Sequence, residues 1–394
     1  MLRRTRPTMQ PAAARQEPPP DPAADADEIA RRLLEIIEAL VTESAPGGRV
    51  PVEPGLDTLL ERDLGIDSLT AVELGLRIEW AFGVRLPDET LTQAETPRDL
   101  VRAVLRASGV AHGPQATDVV TLVAERALAT PESATTLVEM LEWHAERHAE
   151  RTHVTLLEGD DRATAWTYAR LLAEARRVAA GLQDEGLAPG ESVAIMLPTS
   201  LEFFSSYFGI LIAGAVPVPI YPPVRLAQIA DHMRRQAGVL TSAQARLLVT
   251  VPEAKPLGTL LRGQVPSLKR VVTCTDLAEG AGTFTRVARS PDDIAFLQYT
   301  SGSTGNPKGV ILTHANLLAN LRAMGRAAGV TAGDVFMSWL PLYHDMGLIG
   351  AWLGSLYFAM PLVVMSPLDF LARPTRWLWA IHRYRATISA APNF

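Results

Sequence analysis

One short stretch, Tyr299–Val310, constrains the fold of this chain more than any other part of its sequence. An apolar run of strand length, Ile294–Gln298, comes just before it. Glycines allow a close backbone approach to a ligand, and successive N–H groups and hydroxyls can surround phosphate oxygens. The stretch therefore predicts a strand followed by a phosphate-binding loop, in which a lysine supplies a point charge. The residues predicted to form it are Thr300, Ser301, Gly302, Ser303, Thr304, Gly305 and Lys308.

Two other interpretations fit this stretch less well. A Walker-type phosphate loop requires Gly-Lys followed by Ser or Thr, whereas here Pro307 precedes Lys308 and Gly309 follows it. A flexible polar linker would explain the glycines but not a lysine that follows a proline between two apolar runs. Lys308 is also one of three lysines in the chain, beside thirty-four arginines. This rarity suggests that the position requires a lysine.

The length and composition are those of a globular protein with two to three domains. The 394 residues are 47% apolar and 20% charged, an ordinary balance for a folded chain. The net charge of −6 is unevenly distributed, because residues 21–108 contain eighteen acidic and nine basic residues. No basic stripe of the kind that binds nucleic acid is present, so we expect no nucleic-acid partner.

Cysteine content and hydropathy predict a cytoplasmic protein without a membrane span. Cys274 is the only cysteine, so no disulfide can form within the chain, as is usual in a reducing compartment. The first residues lack the apolar core of a secretion signal. Two uncharged stretches, Phe203–Tyr221 and Met346–Met365, are as long as a membrane span. Prolines interrupt both, so we expect buried helices followed by buried strands of a parallel sheet.

The order of patterns along the chain predicts two domains. Residues 1–24 are rich in Pro, Ala and Arg and are expected to form a disordered arm. Residues 25–108 contain several short helical patterns, which predict a small all-α bundle. Residues 109–133 are expected to be a linker. In residues 134–394 helical and strand patterns alternate, which predicts an α/β domain with largely parallel sheets.

The helices of residues 25–108 are predicted from apolar residues at three-to-four spacing. Such spacing indicates a helix over Asp27–Glu43, a second that begins near Ser68 and is closed by Gly83, and a last helix over Pro97–Arg106. Taken alone, Ser68 would be an ordinary N-cap residue. A hydroxyl at a helix N-terminus can also carry a phosphodiester, because the helix dipole favours negative charge there.

The surroundings of Ser68 resemble the acyl carrier protein family. The sequence Asp63-Leu-Gly-Ile-Asp-Ser-Leu69 is similar to the Gly-x-Asp-Ser-Leu motif at the head of that family's second helix. The resemblance covers about residues 25–108. It implies a four-helix bundle in which Ser68 carries a 4′-phosphopantetheine arm, attached by a phosphopantetheinyl transferase. The acidic face that would steer basic partner surfaces consists of Asp63, Asp67, Glu73 and Glu79.

The alternation in the second region predicts a definite set of elements. The predicted helices are Thr135–Glu150, Tyr168–Glu185, Leu201–Ala213, Leu226–Leu240, His314–Ala328, Met346–Phe358 and Arg376–Tyr384. The predicted strands are Val154–Leu157, Val193–Leu197, Val216–Ile220, Arg246–Thr250, Arg270–Thr273, Ile294–Gln298, Val335–Ser338, Leu362–Met365 and Thr387–Ala390.

Three histidines lie close together in sequence near the start of this region. His144 and His148 could share one face of a helix, and His153 follows. A metal site would need further ligands, and neither a cysteine nor a dense set of carboxylates is nearby. We therefore expect a solvated face rather than a metal site.

The stretch Tyr299–Val310 resembles the adenylate-forming superfamily, whose members activate carboxylic acids with ATP. The sequence Trp339-Leu-Pro-Leu-Tyr-His-Asp-Met-Gly347 is similar to that family's second core motif, in which a histidine lies beside the reacting carboxylate. Here that histidine is His344. By itself, a core histidine bonded to backbone would be the better interpretation. Its place beside glycine turns and a phosphate loop favours a catalytic position.

Three stretches narrow the resemblance to fatty acyl-AMP ligases, namely Gly214–Pro223, Leu340–Gly350 and Ile388–Phe394. Amino-acid-activating members carry a Phe-Asp-x-Ser motif for the substrate ammonium. No such motif is present here, which favours an acid without an α-amine. The resemblance covers about residues 135–394, about half of a typical member. It implies that the adenine pocket, the Mg²⁺-binding Glu and a mobile C-terminal domain lie beyond Phe394.

The resemblance implies a reaction in two steps. The carboxylate of a fatty acid, or of another acid, attacks the α-phosphate of ATP and gives an acyl-adenylate and pyrophosphate. The predicted loop would bind the ATP phosphates, and Mg²⁺ would neutralise the triphosphate. A pantetheine thiol, with Ser68 as its natural site of attachment, would then take the acyl group. A downstream carrier-dependent synthase of lipid, polyketide or peptide would use it.

Two alternatives stay open at this point. The second region could be an inactive adenylation fragment attached to a working carrier. It could also belong to a CoA ligase or to an amino-acid-loading module. The product separates these alternatives, since it would be an acyl group on the Ser68 arm, an acyl-CoA or an aminoacyl thioester.

Overall fold

The computed structural model contains two compact units, one helical and one α/β. The first is made by residues 1–115 and 371–373, and the second by residues 116–370 and 374–394. The predicted arm over residues 1–24 lies outside the described part of the chain. The residues that the structure describes are 26–44, 54–66, 68–87, 90, 94–107, 119–122, 128–159, 162–223, 229–279, 282, 284–300 and 307–392.

The helical unit contains α1 (Ala26–Ser44), α2 (Ser68–Phe82) and α3 (Pro97–Arg106). The predicted bounds of the first and last helices are confirmed to within one residue. Helix α3 begins at a proline, which has no N–H to leave unpaired, and Asp99 accepts the backbone N–H of Thr96 at 3.1 Å. Apolar residues of all three helices share one core, which includes Leu33, Ile37, Leu40, Leu74, Ile78, Phe82, Leu100 and Val104.

The α/β unit alternates strands and helices, as the sequence predicts. Its strands are β1 (Thr152–Glu158), β2 (Arg162–Thr167), β3 (Ser192–Met196), β4 (Val216–Pro219), β5 (Ala245–Thr250), β6 (Arg270–Val272), β7 (Ile294–Thr300), β8 (Lys308–Thr313), β9 (Phe336–Ser338), β10 (Leu362–Met365) and β11 (Ile388–Ser389). Its helices are α4 (Leu137–Arg147), α5 (Tyr168–Asp184), α6 (Leu201–Ile212), α7 (Ile229–Ser242), α8 (Lys255–Gln264), α9 (Cys274–Glu279), α10 (His314–Ala328), α11 (Gly354–Tyr357), α12 (Pro367–Ala372) and α13 (Thr375–Tyr384), with a 3₁₀ turn at Pro252–Ala254 and a π-helix at Met346–Leu353.

Two sheets confirm the prediction of largely parallel pairing. One has the strand order β11–β9–β10–β1–β2, in which β2 runs antiparallel to β1 and the other neighbours are parallel. The other has the order β4–β3–β5–β6 and is parallel throughout. Strands β7 and β8 form a separate antiparallel pair. In each parallel sheet the carboxyl ends of the strands lie at one edge, where ligands bind in such folds.

The sequence does not predict β2, β8, α8, α9 or α12. Strand β2 buries Trp166 and leaves its other side chains partly or fully exposed, and β8 exposes its first four residues. Neither strand therefore has the apolar alternation that indicates a half-buried strand. Backbone pairing with β1 and β7 defines both strands, and that pairing exists only in the tertiary structure.

The uncharged stretch Phe203–Tyr221 contains a buried helix and a buried strand, as predicted. Every residue of α6 except Glu202 is buried, and β4 is buried throughout. Trp352 of the π-helix packs against four rings of α6, those of Phe203, Phe204, Tyr207 and Phe208. In the part of the chain that the structure describes, no helix is both long enough and apolar enough to cross a membrane.

The expectation of a solvated histidine face is wrong, because His144 and His153 are both fully buried. Each ring stacks on Tyr168, with centroids 4.8 and 4.7 Å apart. His153 Nε2 accepts the indole N–H of Trp352 at 3.1 Å, which places the proton of the neutral ring on Nδ1. Burial lowers the pKa of both histidines to about 3. Among the described residues, no three potential metal ligands come together.

Gly181 allows α5 to pack directly against the backbone of α9. A Cβ at this position would lie 2.2 Å from the carbonyl oxygen of Leu277, so the two helices would have to separate. We expect Gly181→Ala to lower the free energy of unfolding by about 1–3 kcal/mol in urea denaturation. Gly263→Ala on α8 is the matched control, because no atom lies within 4 Å of its Cβ position and alanine favours the helix. Unchanged stability of Gly181→Ala would contradict this contact.

Candidate functional site

The predicted phosphate-binding loop connects the two strands of the β7–β8 hairpin. Thr300 at the end of β7 pairs with Lys308 at the start of β8, so both residues stand at the base of the loop. The side chain of Lys308 is exposed. The predicted residues Ser301, Gly302, Ser303, Thr304 and Gly305 lie outside the described part of the chain. The structure thus gives the base of the loop and its charged residue, and it identifies the loop as a hairpin connection.

The glycine after Lys308 has a structural reason. Gly309 pairs with Tyr299 across the hairpin, and a Cβ on it would lie 2.9 Å from the tyrosine ring. With glycine there, Tyr299 lies across the strand, and its hydroxyl donates to Ser242 Oγ at 2.9 Å. Pro307 packs against the same helix, α7, at Gly238. The hairpin is therefore anchored to α7 at both sides of the loop.

The second motif forms a loop at the carboxyl end of β9. His344 is exposed, so the alternative of a buried core histidine does not apply to it. Asp345 Oδ1 lies 2.6 Å from His344 Nδ1 and accepts the N–H of Met346 at 2.7 Å. One carboxylate thus caps the π-helix and contacts the histidine ring. The N–H of Met346 also points at Nδ1, at 3.4 Å, so both contacts lie on the Nδ1 edge of the ring and Nε2 lies on its other side.

The glycine of the Tyr-His-x-x-Gly motif is explained by packing. A Cβ on Gly347 would lie 2.3 Å from the carbonyl oxygen of Pro341. Glycine therefore lets the first turn of the π-helix lie directly on the loop that precedes it. A π-helix is rare and is found mostly near functional sites. Its wide turn begins here just after His344 and Asp345.

A hydrogen bond links the loop that contains His344 to the β7–β8 hairpin. Gln298 of β7 donates from Nε2 to the carbonyl oxygen of Tyr343 at 2.9 Å. The ring of Tyr343 also contacts Tyr221, with centroids 5.9 Å apart, and burial beside Tyr221 raises the pKa of Tyr343. Lys308 and His344, far apart in sequence, therefore belong to connected segments of one region.

The candidate site also includes residues that are not predicted from the sequence, namely Gln298, Asp345, Tyr221 and Tyr343. A signal existed for Gln298, because it is the one amide in the apolar run Ile294–Gln298. Tyr221 and Tyr343 lie within stretches that support the family resemblance, but nothing in the sequence shows that their rings meet. Such contacts join distant segments and depend on the fold.

In the helical unit, Ser68 is the first residue of α2. It follows a turn in which Gly65 has a φ of 69°, a conformation that favours glycine. A group attached at this position would lie at the positive end of the helix dipole. Asp67 is outside the described residues. The predicted acidic face is partly neutralised, since Asp63 pairs with Arg62 and Glu73 pairs with Arg77.

Comparison with known proteins gives two family matches. Residues 141–393 match the family of AMP-binding enzymes, and residues 48–104 match the phosphopantetheine attachment site. JamA of Moorena producens, a medium-chain-fatty-acid–acyl-carrier-protein ligase, is 33% identical over 264 residues, which are 66% of this chain and 44% of JamA. FadD32 of Mycolicibacterium smegmatis, a long-chain-fatty-acid–AMP ligase, is 37% identical over 242 residues, 58% of this chain and 36% of FadD32.

A solved structure shows the same likeness. The fatty acyl-adenylate ligase from L. pneumophila, crystallised with acyl adenylate and pyrophosphate, superposes with a TM-score of 0.60 at 31% identity. The match covers 67% of this chain and 46% of that chain. The chain thus spans less than half the length of these relatives.

Proposed function

Because the chain belongs to the family of AMP-binding enzymes and carries a phosphopantetheine attachment site, we propose that it activates a fatty acid, or another carboxylic acid, with ATP and loads it onto a carrier. The observation that carries this proposal is the hydrogen bond from Gln298 to Tyr343. It joins the hairpin that would bind the phosphates to the loop that would meet the carboxylate. The ligase activities for which JamA and FadD32 are named support the proposal.

In the first step, the substrate carboxylate oxygen forms a bond to the α-phosphorus of ATP, and the bond from that phosphorus to the β-phosphate oxygen breaks. Pyrophosphate leaves with that electron pair. Lys308 supplies a positive charge at the base of the loop, which stabilises charge on the phosphates. His344, contacted at Nδ1 by Asp345, would present its other ring nitrogen to the carboxylate. The loop residues 300–305 would supply hydroxyls and backbone N–H groups.

In the second step, the activated acyl group passes to a thiol, and AMP leaves. A 4′-phosphopantetheine arm supplies that thiol when it is attached. Ser68 would hold the arm, because it is the first residue of α2 and a phosphodiester charge is favoured at a helix N-terminus. Attachment within the same chain raises the local concentration of the acceptor. The helical unit, over about residues 25–108, would be a four-helix carrier bundle joined by a linker at 109–133.

Further partners follow from this chemistry. A phosphopantetheinyl transferase would modify Ser68, and a carrier-dependent synthase would consume the acyl group. Both reactions fit a cytoplasmic location. Mg²⁺ would accompany ATP, but in the described residues no group of potential ligands is arranged for a metal. We therefore assign no residue to Mg²⁺.

The test is acid-dependent release of pyrophosphate from ATP by the transferase-modified chain. Saturated acids of about eight to eighteen carbons suit a site in a largely apolar core. Release with an acid, together with an acyl group on the Ser68 arm, supports the proposal. Release with acyl-CoA or an aminoacyl thioester as product would indicate another adenylating type. Modified Ser68 without ATP binding would indicate a carrier joined to an inactive fragment.

Replacing Lys308 tests whether its positive charge contributes to pyrophosphate release. We expect Lys308→Met to weaken pyrophosphate release about ten- to a hundredfold, because a hydrogen bond to a charged group contributes about 1.5–3 kcal/mol. Lys269→Met is the matched control, since Lys269 donates to the carbonyl oxygen of Pro266 and lies outside the proposed site. Equal loss in both variants would contradict a specific role for Lys308.

A further inference from the structure

Gln298 is a buried polar residue in an otherwise apolar part of β7. Its residue surface is 8% exposed, and its neighbours Phe296 and Leu297 pack into hydrophobic clusters. The amide nitrogen donates to the Tyr343 carbonyl oxygen. The amide oxygen is buried and has no hydrogen-bond partner among the residues that the structure describes. The hydrogen bond to Tyr343 therefore fixes how the Gln298 side chain is oriented, since a carbonyl oxygen can pair only with the N–H side of the amide.

The unpaired oxygen makes Gln298 costly for stability alone. Leaving a buried acceptor without a partner costs about 1–3 kcal/mol, whereas one net hydrogen bond contributes about 1 kcal/mol. Methionine has a similar length and would fill the same space without an unpaired atom. The amide therefore gives little or no net stability at this position. What it does provide is a directional link between two segments that are 45 residues apart.

Each end of this link lies next to a different part of the proposed site. Gln298 comes two residues before Thr300, where β7 enters the phosphate loop. Tyr343 comes directly before His344. Contacts at both ends support this hydrogen bond. Tyr299, the next residue of β7, donates from its hydroxyl to Ser242 of α7, and the Tyr343 ring contacts Tyr221. A displacement of the hairpin would thus be passed to the backbone beside His344.

We propose that Gln298 is a positioning residue that couples the phosphate hairpin to the His344 loop. This inference rests on the proposed function, since it assumes that ATP binds at the hairpin. Attack on the α-phosphate needs the carboxylate and the phosphate in one geometry, and a displacement of about 1 Å can cost about a hundredfold in rate. The two groups would be held by separate segments of the chain. The bond from Gln298 to Tyr343 lets bound ATP order both segments.

The experiment is hydrogen exchange of backbone amides with and without ATP and Mg²⁺, which needs no turnover. Two segments are followed, the hairpin strand 308–313 and the loop 339–347. In the wild-type chain, ATP should slow exchange in both segments, by about threefold or more. In Gln298→Met, ATP should still slow exchange in 308–313 but leave 339–347 unchanged. Gln298→Leu, which also removes the donor, should behave in the same way.

Gln183→Met is the matched control. Gln183 also donates from Nε2 to a distant backbone carbonyl, that of Thr285 at 2.8 Å, but at the end of α5. We expect this variant to respond to ATP like the wild type. Equal melting temperatures with the wild type show that the Gln298 variants are folded, and Gln298→Leu serves if Gln298→Met is not.

The outcomes separate the two proposals. Wild-type protection of 308–313 without protection of 339–347 would overturn the coupling and leave the ATP site standing. Protection of 339–347 that persists in both Gln298 variants would overturn it as well. No protection of either segment in the wild type would overturn the proposed nucleotide site, and the coupling with it.

Discussion

A Ser68→Ala variant, coexpressed with a phosphopantetheinyl transferase, will remain unmodified, whereas the wild-type chain will gain one 4′-phosphopantetheine group. The loss should be complete, because a phosphodiester needs a hydroxyl and alanine has none. Intact-mass spectrometry, followed by sequencing of the peptide that contains residue 68, measures the result. This is the largest effect that we expect, since it removes the proposed acceptor of the acyl group altogether.

Thr70→Ala is the matched control for this variant. It removes a second hydroxyl from the first turn of α2, two residues after Ser68, and should leave modification intact. Ser68→Ala should also keep the ATP-dependent release of pyrophosphate, because the adenylation step precedes transfer to the thiol. A modified Ser68→Ala chain, or modification that needs Thr70, would contradict the assignment of Ser68.

Acid is expected to destabilise the α/β unit well above the pH at which carboxylates become protonated. His144 and His153 are buried and neutral, and burial lowers the pKa of each from about 6.5 to about 3. The neighbouring His148 also lowers the pKa of His144. The unfolded chain would protonate both residues near pH 6.5, whereas the folded chain cannot. Protonation therefore favours the unfolded state as the pH falls.

The direction and size of this pH effect on the free energy of unfolding follow from proton linkage. A histidine whose pKa is lowered by folding contributes stability above pH 6.5 and loses it as the pH falls toward 3. Each such residue changes the free energy of unfolding by about 1.4 kcal/mol per pH unit in that window. Between pH 6.5 and 4.5, the two together should lower it by about 5 kcal/mol, a large part of the 5–15 kcal/mol typical of a domain. Urea denaturation at several pH values measures it.

The variant His153→Gln tests whether the buried histidines cause this pH dependence. The glutamine oxygen can still accept the indole N–H of Trp352, as His153 Nε2 does, but the side chain does not titrate. We expect this variant to lose about half of the pH dependence. His382→Gln on the exposed surface of α13 should leave the dependence unchanged. A wild-type free energy of unfolding that is constant from pH 6.5 to 4.5 would contradict the prediction.

Much of the fold follows from the sequence because burial imposes periodicity. Helix α10 begins and ends where predicted, at His314 and Ala328, since its apolar face and its Thr313 cap are local features. Strand β10 was also predicted with its observed bounds, Leu362–Met365, because it is buried on both faces. Strands β2 and β8 were missed because their side chains are mostly exposed and only backbone pairing defines them.

The three histidines His144, His148 and His153 were expected to be exposed, and the structure buries two of them. Nothing in the order of His144, His148 and His153 reveals that Tyr168 stacks on two of them. Polar residues are usually exposed, so a solvated face was the reasonable expectation. Their burial depends on partners that come from distant positions, such as Trp352 and the carbonyl of Tyr357.

For the candidate site, the sequence by itself predicted the chemistry. The stretch Tyr299–Val310 predicted phosphate binding, the context of Ser68 predicted the carrier, and the second motif predicted His344, because each depends on residues that are close together in the chain. The tertiary structure alone decided how the parts are arranged. It paired β7 with β8 and linked β7 to Tyr343 through Gln298. Long-range contacts of this kind come from packing, and no local pattern encodes them.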